Sequence, residues 1–345
     1  MDVYVLNSSF EQIAVIDEYK SLIWAKRYYT PGDFELYLPA TTALLGILQP
    51  DRFLMRDDDS SVMVVERIEV QTDAENGDFI IARGRSLESI LARRVIRWQT
   101  NIDEDDIVQG LKALITEHTG NGDPDDNRAF PGFVIDDTLT IAQPLNAQFT
   151  GSVLLDAVSA VCEQYKIGMR MTISGQIMTL SFYEGSLSDA VFSPEFDNLI
   201  RSDYVSDFSN LANFALVAGE GEGTSRKTLG MALGALQEGF ALREMYVDAR
   251  DLSSNNGDIT PQKYSAYMLA RGKEKLAERN VSRSFDSEVE PRAPFVYKID
   301  YDIGDIVTVQ TKYGVETHPR IVEIVESWDD TGYNLIPKFD YTEVQ

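Results

Sequence analysis

SLIWAKRYYTPGDFELYLPAT, residues 21–41, is the stretch that decides the fold. Its two halves are rich in β-branched and aromatic residues, and Pro31-Gly32-Asp33 stands between them. Such residues favour β-strands, and glycine readily adopts the positive φ that many tight turns require. We therefore predict a β-hairpin over this stretch, with Gly32 supplying the unusual backbone angle.

The rest of residues 1–95 continues the strand pattern on both sides of this hairpin. A short helix is predicted at 42–48, and Ser86 is predicted to cap a second helix, SLESILARR. Strands are predicted at VYVL, IAVI, the alternating run from Val62 to Val70, and FIIARGR, the last two joined by a turn at Asn76-Gly77. We expect a first strand-rich domain at 1–95.

Residues 96–195 change to a mixed pattern. Two helices are predicted, DEDDIVQGLKALITEHTG from Asp103 and GSVLLDAVSAVCEQYKIG from Gly151. The first is expected to carry its leading acids in its first turn, where they suit the helix dipole, and the second to end at Gly168. MRMTIS and QIMTLSFY, separated by Gly175, predict a hairpin. We expect a small α/β domain here.

Residues 196–345 return to strands. The predicted strands are YVSDF, NFALVAG, LREMYVDA, FVYKID, DIVTV, RIVEIV and YNLIP. Thr260 and Pro261 predict the start of a helix, because threonine caps helices and proline suits their first position. The sequence thus indicates a strand-rich α+β fold, whose last domain at 196–345 carries a helical insertion near 255–283.

The charge balance narrows the classes of function. The chain has 31 Lys plus Arg against 56 Asp plus Glu, a formal net charge of −25. A field of this sign repels phosphate backbones and anionic lipid surfaces, so specific nucleic-acid binding is disfavoured. The most apolar run, TLGMALGALQEGFAL from Thr228, is shorter than the roughly 20 apolar residues that span a bilayer. No membrane span is expected.

Candidate catalytic residues are few. His118 stands at the end of a predicted helix, where a cation suits the dipole, and His318 precedes Pro319 in a predicted loop. Neither lies in a nucleophile or metal-ligand pattern, and the single cysteine, Cys162, falls on the apolar stripe of a helix. We predict no catalytic residue, no cofactor and no enzyme activity, although an acidic chain can hide a carboxylate pair.

Acidic loops raise the question of calcium. Residues 123–127 match the first ligand positions of an EF-hand loop, but Arg128 stands where glycine is required. Residues 251–255 fail in the same way at Asn256. We predict solvated loops and no metal site. GEGEG from Gly219 lacks the Lys-Ser/Thr end of a phosphate-binding loop and is predicted to be a flexible connection.

Arginines cluster in one short part of this acidic chain. The cluster consists of Arg83, Arg85, Arg93, Arg94 and Arg97, with Trp98 beside them. Arginine is enriched at protein interfaces, so the cluster is a candidate subunit contact that faces acidic segments of a neighbour. An ordinary surface with local ion pairs is the equally weighted alternative.

Several strings together resemble the tail-hub family of siphophages and prophages. The strings are SLIWAKRYYTPGDFELYLPAT (21–41), GRSLESILARRVI (84–96), FSPEFDNL (192–199), LVAGEGEG (216–223), REMYVDARDLS (243–253), DYDIGDIVTV (300–309) and RIVEIVESWDDTG (320–332). That family is similar in fold to the baseplate hub of contractile-tailed phages and to the N-terminal part of tail-associated lysins. The resemblance extends in order over nearly the whole chain.

The resemblance implies a homotrimer. Each chain would supply two β-barrel-like tube domains flanking the α/β domain, so that three chains form a ring of pseudo-sixfold symmetry. The ring would be made in the host cytoplasm and lie at the distal tail tip of the virion. There it would contact the distal tail protein, the tape-measure protein and tail-fibre or receptor-binding proteins, and DNA would pass through it without specific binding.

The resemblance also assigns structural roles to motif residues. Trp24, Arg27 and Tyr28 would anchor the first hairpin, and Gly32-Asp33, before Phe34, would make its turn. Gly304-Asp305 would make the turn that enters a strand of the second tube domain.

Two other functions remain open from the sequence. One is a tail-associated cell-wall hydrolase. This function is in doubt because the sequence reaches Gln345 directly after the last predicted strand, so that we expect no appended lytic domain. The other is a module that binds host-surface carbohydrate, for which exposed aromatic side chains near Trp98 or Trp328 would be the mark.

Overall fold

The computed structural model describes residues 1–73, 77–120, 126–279, 282–289, 294–310, 313 and 316–340. The helices are α1 (Thr42–Ile47), α2 (Ile107–His118), α3 (Leu154–Tyr165) and α4 (Pro261–Ala277). The strands are β1 (Val3–Leu6), β2 (Gln12–Ile16), β3 (Ser21–Arg27), β4 (Asp33–Pro39), β5 (Phe53–Arg56), β6 (Val62–Asp73), β7 (Gly77–Ser86), β8 (Thr100–Glu104), β9 (Phe133–Asp136), β10 (Leu145–Phe149), β11 (Gly168–Ser174), β12 (Ile177–Tyr183), β13 (Leu187–Phe192), β14 (Leu199–Asp207), β15 (Phe214–Ala218), β16 (Thr228–Ala232), β17 (Glu244–Asp248), β18 (Ser282–Val289), β19 (Ile306–Gln310), β20 (Glu316–Thr317), β21 (Arg320–Asp329) and β22 (Gly332–Asp340). The strand-rich α+β class predicted from the sequence is confirmed.

One large sheet unites the first and last strand blocks. Its strand order is β14-β18-β22-β21-β3-β4-β7-β6-β5-β1-β2, with β19 also joined to β21 and β13 and β20 joined to β19. The pairing of β3 with β21 connects the two blocks, for which the resemblance implies two β-barrel-like domains. Over the described residues the sheet is open and contains no closed barrel.

Separate apolar cores lie on the two sides of this arrangement. The alternation in β3 and β4 turns Leu22, Trp24 and Phe34 into a core on one face of the first strand block. The α/β block between the strand blocks has its own core, in which the apolar stripe of α3 packs with α2 and β11. The opposite face of the large sheet is covered by this α/β core at Val62 and Val64 of β6. Farther from that core, on β4 and β7, the same face carries partly exposed charged side chains, and we call this part the accessible face.

The α4 unit is inserted between β14 and β18. Its small sheet has the order β16-β15-β17 and packs on one side of α4, while α3 and β10 lie on another side. Thr260 caps α4 by accepting a hydrogen bond from the Lys263 N–H at 3.3 Å, and Pro261 takes the first position. The predicted helical insertion is thus present.

Several local predictions were wrong for identifiable reasons. The acids at 103 and 104 lie in β8, and Asp106 instead caps α2 through the Gln109 N–H at 2.9 Å. Helix α3 ends at Lys166, which adopts φ 59°, whereas Gly168 already begins β11. The predicted strand FVYKID is a series of turns, with the Lys298 N–H bonded to the Tyr301 carbonyl. The predicted turn at Asn76 and the loop 121–125 lie outside the described residues.

The hairpin 21–41 is confirmed, but two of its details differ from expectation. Gly32 has no positive φ; it is required because a Cβ there would lie 2.0 Å from the Ala25 carbonyl oxygen. Ser86 makes no side-chain cap to the following 3₁₀ helix, Leu87–Arg93. Its hydroxyl accepts the Gly32 N–H at 2.8 Å instead, tying the hairpin turn to β7.

Candidate assembly site at the junction of the strand blocks

The β3/β21 pair forms the centre of the candidate site. The strands run antiparallel, with Arg27 opposite Glu323 and Trp24 opposite Glu326. Because successive side chains alternate between the faces of a strand, Trp24 and Glu326 point to the core while Arg27 and Glu323 point to the opposite face. Glu323 is nevertheless only 9% exposed, since its neighbours cover it. The junction therefore presents two different environments to charged residues.

On the accessible face, ion pairs cross the junction in a row. Arg27 lies 2.6 Å from the Asp33 carboxylate on β4 and 2.9 Å from Glu323 on β21. Lys338 on β22 lies 2.7 Å from the same Glu323, and Asp33 stands opposite Arg85 in the pairing of β4 with β7. Opposite charges on neighbouring strands stabilise a given register.

The row continues into the predicted arginine cluster. Arg85 makes a bidentate pair with Glu66 on β6, with a shortest distance of 2.7 Å. Arg83 bonds to Glu35 at 2.6 Å and to Glu69 at 3.1 Å, one carboxylate on each neighbouring strand. We call the row the charge ladder; it consists of Glu66, Arg85, Asp33, Arg27, Glu323 and Lys338.

The remaining cluster arginines also have partners within the chain. Arg93 pairs with Asp51 at 2.6 Å, and Arg94 donates to the Arg128 carbonyl at 2.8 Å while lying over the Phe130 ring. Arg97 likewise has an interaction partner. Local ion pairing, the alternative from the sequence, thus accounts for these contacts, and the role as a subunit contact stays a prediction.

On the core face, Arg56 holds the two blocks together. Its fully buried guanidinium bonds to Glu326 at 2.8 Å and to Asp58 at 2.7 Å. It lies between the rings of Trp24 and Trp328, with its central carbon 4.3 Å from the centre of the latter. Burial alone would lower the pKa of Arg56, but the hydrogen bonds to the two carboxylates raise it above its ordinary value.

A second buried pair reaches the segment before β19. Asp59 lies 2.7 Å from both Lys26 on β3 and Lys298. Burial alone would raise the pKa of Asp59, but the two ammonium groups and the Ser61 N–H hold it far below its usual range. Lys298 thus links Asp59 to the last strand block, while Lys26 pairs with the same carboxylate within the first block.

Tyr28 connects all three parts of the chain. Its buried hydroxyl lies 3.2 Å from the carbonyl oxygens of Lys166 and Tyr183 and accepts the Gly185 N–H at 2.9 Å. A Cβ on Gly304 would lie 2.4 Å from its ring. Tyr28 was expected to anchor the first hairpin; it instead anchors that hairpin to the α/β block and to the last strand block.

The other motif residues lie near this point. Trp24 is buried and donates to the Ser61 hydroxyl at 2.9 Å, and Phe34 packs against it in the same core. Gly304 adopts φ 95° before β19, and the Asp305 carboxylate accepts the Ser186 N–H at 2.7 Å. The predicted turn at Gly304-Asp305 therefore also joins the α/β block to the last block.

A buried acid that sequence reasoning missed lines a cavity at the junction. The cavity measures about 290 Å³ and is lined by residues of all three blocks, including Glu88, Asp59 and Arg170. One oxygen of Glu88 accepts the Met171 N–H at 2.6 Å. Burial raises the pKa of Glu88, against smaller opposing effects of hydrogen bonding. No local pattern marks this residue in the sequence.

The two histidines and the cysteine, for which no catalytic role was predicted, lie in different surroundings. His118 ends α2 fully buried, with Nε2 2.8 Å from the Thr100 hydroxyl, while His318 is exposed near Thr308. Cys162 is fully buried, and burial raises the pKa of its thiol to about 12. Among the described residues, no group of three or more His, Cys, Asp or Glu side chains could hold a metal ion.

Trp98 and Trp328, the aromatic candidates for carbohydrate binding, are both half-buried. Trp98 donates to Glu117, and Trp328 packs on Tyr333 with ring centres 5.1 Å apart. Within the described part of the chain, no helix is both long and apolar enough to span a membrane.

The fold of the chain as a whole is similar to the folds of solved tail proteins. The tail protein from Neisseria meningitidis MC58 matches with TM-score 0.62 and 11% identity over 99% of this chain and 97% of that chain. The 43 kDa tail protein of prophage MuSo2 from Shewanella oneidensis matches with TM-score 0.61 and 11% identity, covering 99% and 98%. Prophage tail protein gp18 from Listeria monocytogenes EGD-e matches with TM-score 0.59 and 11% identity, covering 100% and 96%. The fold is that of phage and prophage tail proteins.

The sequence identifies the family within this class. The family model of Siphovirus ReqiPepy6 Gp37-like proteins matches residues 2–339. The chain therefore belongs to this family of siphovirus tail proteins, which confirms the resemblance found in its sequence strings. Among curated proteins, no sequence matches the chain.

Proposed function

We propose that this chain is the homotrimeric hub of the phage tail tip, which joins the tail tube and distal tail protein to the tip and surrounds the path of DNA ejection. The observation that carries the proposal is a continuous run of strands, β6-β7-β4-β3-β21-β22-β18-β14, in which β14 is an edge strand and the outer part of β6 lies beyond its pairing with β5. The tube-like domains would be 1–95 and 196–345, with 96–195 as the α/β domain between them. In this proposal, each tube-like domain forms a closed barrel only when strands of the neighbouring copies pair with it in the ring.

The two open edges support ring formation. Strand β14 pairs with β18 on one side only, and no described strand pairs with its other side. From Arg67 to Asp73, β6 pairs only with β7, because β5 covers only Val62–Val64. Exposed edges are templates for strand addition by another chain. In the proposed ring, β14 of one copy pairs with the outer part of β6 in the next.

The accessible sheet face suits a channel wall. Phosphate backbones bind proteins through lysine and arginine side chains that replace counterions. On this face Arg27, Arg83 and Arg85 already contact carboxylates of their own chain. With a net charge of −25 as well, the wall would let DNA pass without holding it.

Particle mass tests the proposal directly. Light scattering or mass photometry should report three copies per particle, and electron microscopy should reveal a ring with a central opening. A particle of one copy at every concentration up to the solubility limit would contradict the hub function.

Cysteine cross-linking tests the edges. The only native cysteine is buried, so introduced thiols report only the new contact. One cysteine at Asp207 combined with a second at each position from 69 to 73 in turn should yield oxidised dimers and trimers at one register. The single-cysteine variants are matched controls. Absence of cross-links from a trimeric protein at every register would rule out the edge pairing.

A further inference from the structure

Strand β2 ends the large sheet with an open edge. It pairs with β1 on one side, and no described strand pairs with its other side. Its sequence, QIAVI, contains no charged residue, no proline and no glycine. Edge strands of natural proteins are usually protected by charges, by proline or by a covering element. The proposed ring uses β14 and β6, so it leaves this edge uncovered.

Two aliphatic side chains stand beside the open edge. Ile13 and Val15 are each 44% exposed, on the face opposite to the core that contains Ile16. Val15 is paired with Tyr4 of β1, and Tyr4 is paired with Met55 of β5, which packs against the core of the α/β block. Apolar surface therefore extends across three strands from that core to the open edge.

The turn between β1 and β2 holds the edge strand in place. The Asn7 side-chain oxygen accepts the N–H groups of Ser9 at 2.8 Å and Glu11 at 3.0 Å. The Asn7 N–H donates to the Glu11 carbonyl at 2.9 Å, and the Asn7 carbonyl accepts the Phe10 N–H at 2.9 Å. The Phe10 ring packs on Phe53 with ring centres 4.9 Å apart. An added strand would thus meet an ordered partner.

Both ends of β2 carry negative charge. Residues 1–19 include four acids and no lysine or arginine. Glu11 directly precedes β2, and Asp17 and Glu18 directly follow it. Within the described part of the chain, none of these three carboxylates forms an ion pair, although Glu11 accepts the Asn7 side-chain N–H at 2.9 Å. The charge at the edge is therefore uncompensated.

These charges decide between two kinds of occupant. Antiparallel pairing of two β2 strands centred on Ala14 would place Glu11 opposite Asp17, and parallel pairing in register would place each acid opposite itself. Like charges directly opposite each other are destabilising. The other edge strand, β14, also carries more acidic than basic residues. A second copy of this chain is thus disfavoured, whereas a basic segment is complementary.

We propose that β2 is a docking edge for an extended, basic segment of a different polypeptide, which adds to the large sheet as a further strand. Main-chain hydrogen bonds would supply affinity, and alternate apolar side chains would pack against Ile13 and Val15. Lysine or arginine at both ends of the segment would meet Glu11 on one side and Asp17 and Glu18 on the other. This edge lies outside the proposed β14/β6 contact, so the proposal does not depend on the ring.

A synthetic peptide tests the apolar part of the contact. The probe is a fluorescently labelled peptide of alternating valine and threonine with two lysines at each end. Fluorescence anisotropy should show saturable binding of one peptide per chain. I13K/V15K places two cations at the edge and should raise the Kd at least about 10-fold.

Ile177→Lys is the matched control for this variant. Ile177 is 50% exposed and belongs to β12, the central strand of the β11-β12-β9 sheet. Its substitution should leave the Kd of the peptide nearly unchanged. Circular dichroism melting checks that each variant is folded. Equal binding by I13K/V15K and the parent protein would overturn the proposal.

A second pair of variants tests the charges. E11Q/D17N/E18Q should raise the Kd of the same peptide at least about 10-fold, and added salt should weaken binding to the parent protein. E222Q/E238Q/D258N changes the net charge equally at exposed positions elsewhere and should have little effect. Equal weakening by the two triple variants would mean that the peptide responds to the overall field, which would overturn the proposed site.

Hydrogen exchange distinguishes strand addition from charge attraction. Amide exchange at residues 12–16 should slow in the complex, because an added strand protects the outward N–H groups. A peptide of the same charge with proline at its central positions should not bind, since proline lacks the N–H that pairs strands. Equal binding of the proline peptide, unchanged exchange at β2, or no binding up to about 1 mM of the first peptide would each overturn the proposal.

The outcomes separate this inference from the hub function. A trimeric parent protein that does not bind the peptide contradicts the docking edge and leaves the hub function standing. A monomeric parent protein that binds the peptide at β2 contradicts the hub function and leaves the docking edge standing.

Discussion

The two faces of the β3/β21 junction carry similar ion pairs in different surroundings. On the core face, the Arg56 side chain is 0% exposed and its partner Glu326 is 4% exposed. On the accessible face, the side chains of Arg27 and Asp33 are 32% and 46% exposed. Water screens the second pair and not the first, so the same chemistry has unequal consequences when one partner is removed.

The difference indicates a division of roles. Buried pairs are weak evidence for added stability, but breaking one is costly, so we expect the buried contact of Arg56 with Glu326 between the two strand blocks to be sensitive to substitution. The charge ladder contributes little to stability and determines the character of the accessible face. We therefore expect substitutions on the core face to change folding, and substitutions on the ladder to change mainly the surface.

The largest expected effect is that of Arg56→Met. The change removes the nearest cation from the buried Glu326 carboxylate and leaves only Lys26 at 3.9 Å, which should lower the free energy of unfolding by about 3 kcal/mol. Urea unfolding followed by tryptophan fluorescence at fixed protomer concentration measures it. Arg67→Met, at an arginine paired with Glu69 and 66% exposed, is the control and should leave the unfolding midpoint nearly unchanged. Equal shifts of the unfolding midpoint in the two variants would contradict the proposed difference between the buried and the exposed ion pair.

The next effect concerns the glycine against Tyr28. Gly304→Ala adds strain at φ 95° and places a Cβ against the buried ring, and each contribution should cost about 1–3 kcal/mol. Gly332→Ala meets the same kind of strain at φ 123° with nothing within 4 Å. The difference between their unfolding free energies isolates the packing cost. A control as damaging as Gly304→Ala would show that Tyr28 plays no part.

A smaller effect depends on pH at Glu88. Because its pKa is raised in the folded chain, its contribution to stability is full below the unfolded pKa, about 4.3, and is lost as pH rises through the folded pKa. One group can change stability by at most about 1.4 kcal/mol per pH unit. Glu88→Gln cannot ionise, so its melting temperature should rise relative to the parent between pH 5 and pH 8.

An exposed acid provides the control for Glu88. Glu222→Gln removes a carboxylate from a surface position, and the difference in melting temperature from the parent should not grow with pH in the same way. Arg170 is the charged group that acts on Glu88 from β11, so the scan should be repeated in Arg170→Gln. A flat difference between Glu88→Gln and the parent would contradict the assignment of this buried acid.

The smallest effect is expected on the ladder. Arg27→Gln should lower the free energy of unfolding by less than about 1 kcal/mol, since partly exposed pairs contribute little. Raising the salt concentration from 0.05 to 0.5 M, by screening the pair, should remove most of this difference. The cost of Arg56→Met should persist in the same salt series. A salt-resistant loss at Arg27 would mean that the accessible face is covered in the assembled protein.

The strands and helices that could be predicted are those encoded by short local patterns in the sequence. The alternation around Trp24 and Phe34 suffices for the hairpin, and Thr260-Pro261 suffices for the start of α4. The partner of β3 could not be predicted, because β21 lies far along the chain and nothing local encodes the pairing. For the same reason the arginine cluster was visible as a cluster, while its carboxylate partners on neighbouring strands were not.

The prediction that Gly32 supplies an unusual backbone angle was wrong, although Gly32 does stand in the connection of the hairpin. The structure requires glycine at this position because a Cβ on residue 32 would collide with the Ala25 carbonyl oxygen. Glu88 shows the opposite case, since its burial follows from packing against β11 and leaves no mark in the sequence. Close approach and burial are tertiary properties, so single-sequence patterns do not contain them.

The long separation between β3 and β21 has a consequence for biosynthesis. Arg27 and Glu323 are 296 positions apart, so the contact between them forms only after Glu323 has left the ribosome. Non-local pairing of this kind slows folding, since a long loop must close before the pairing contributes. Until then β3 exposes an unpaired edge that nascent chains on the same messenger could join. Once the buried contacts of Arg56 and Tyr28 have formed, β3 is paired with β21 and its edge is no longer open to such mispairing.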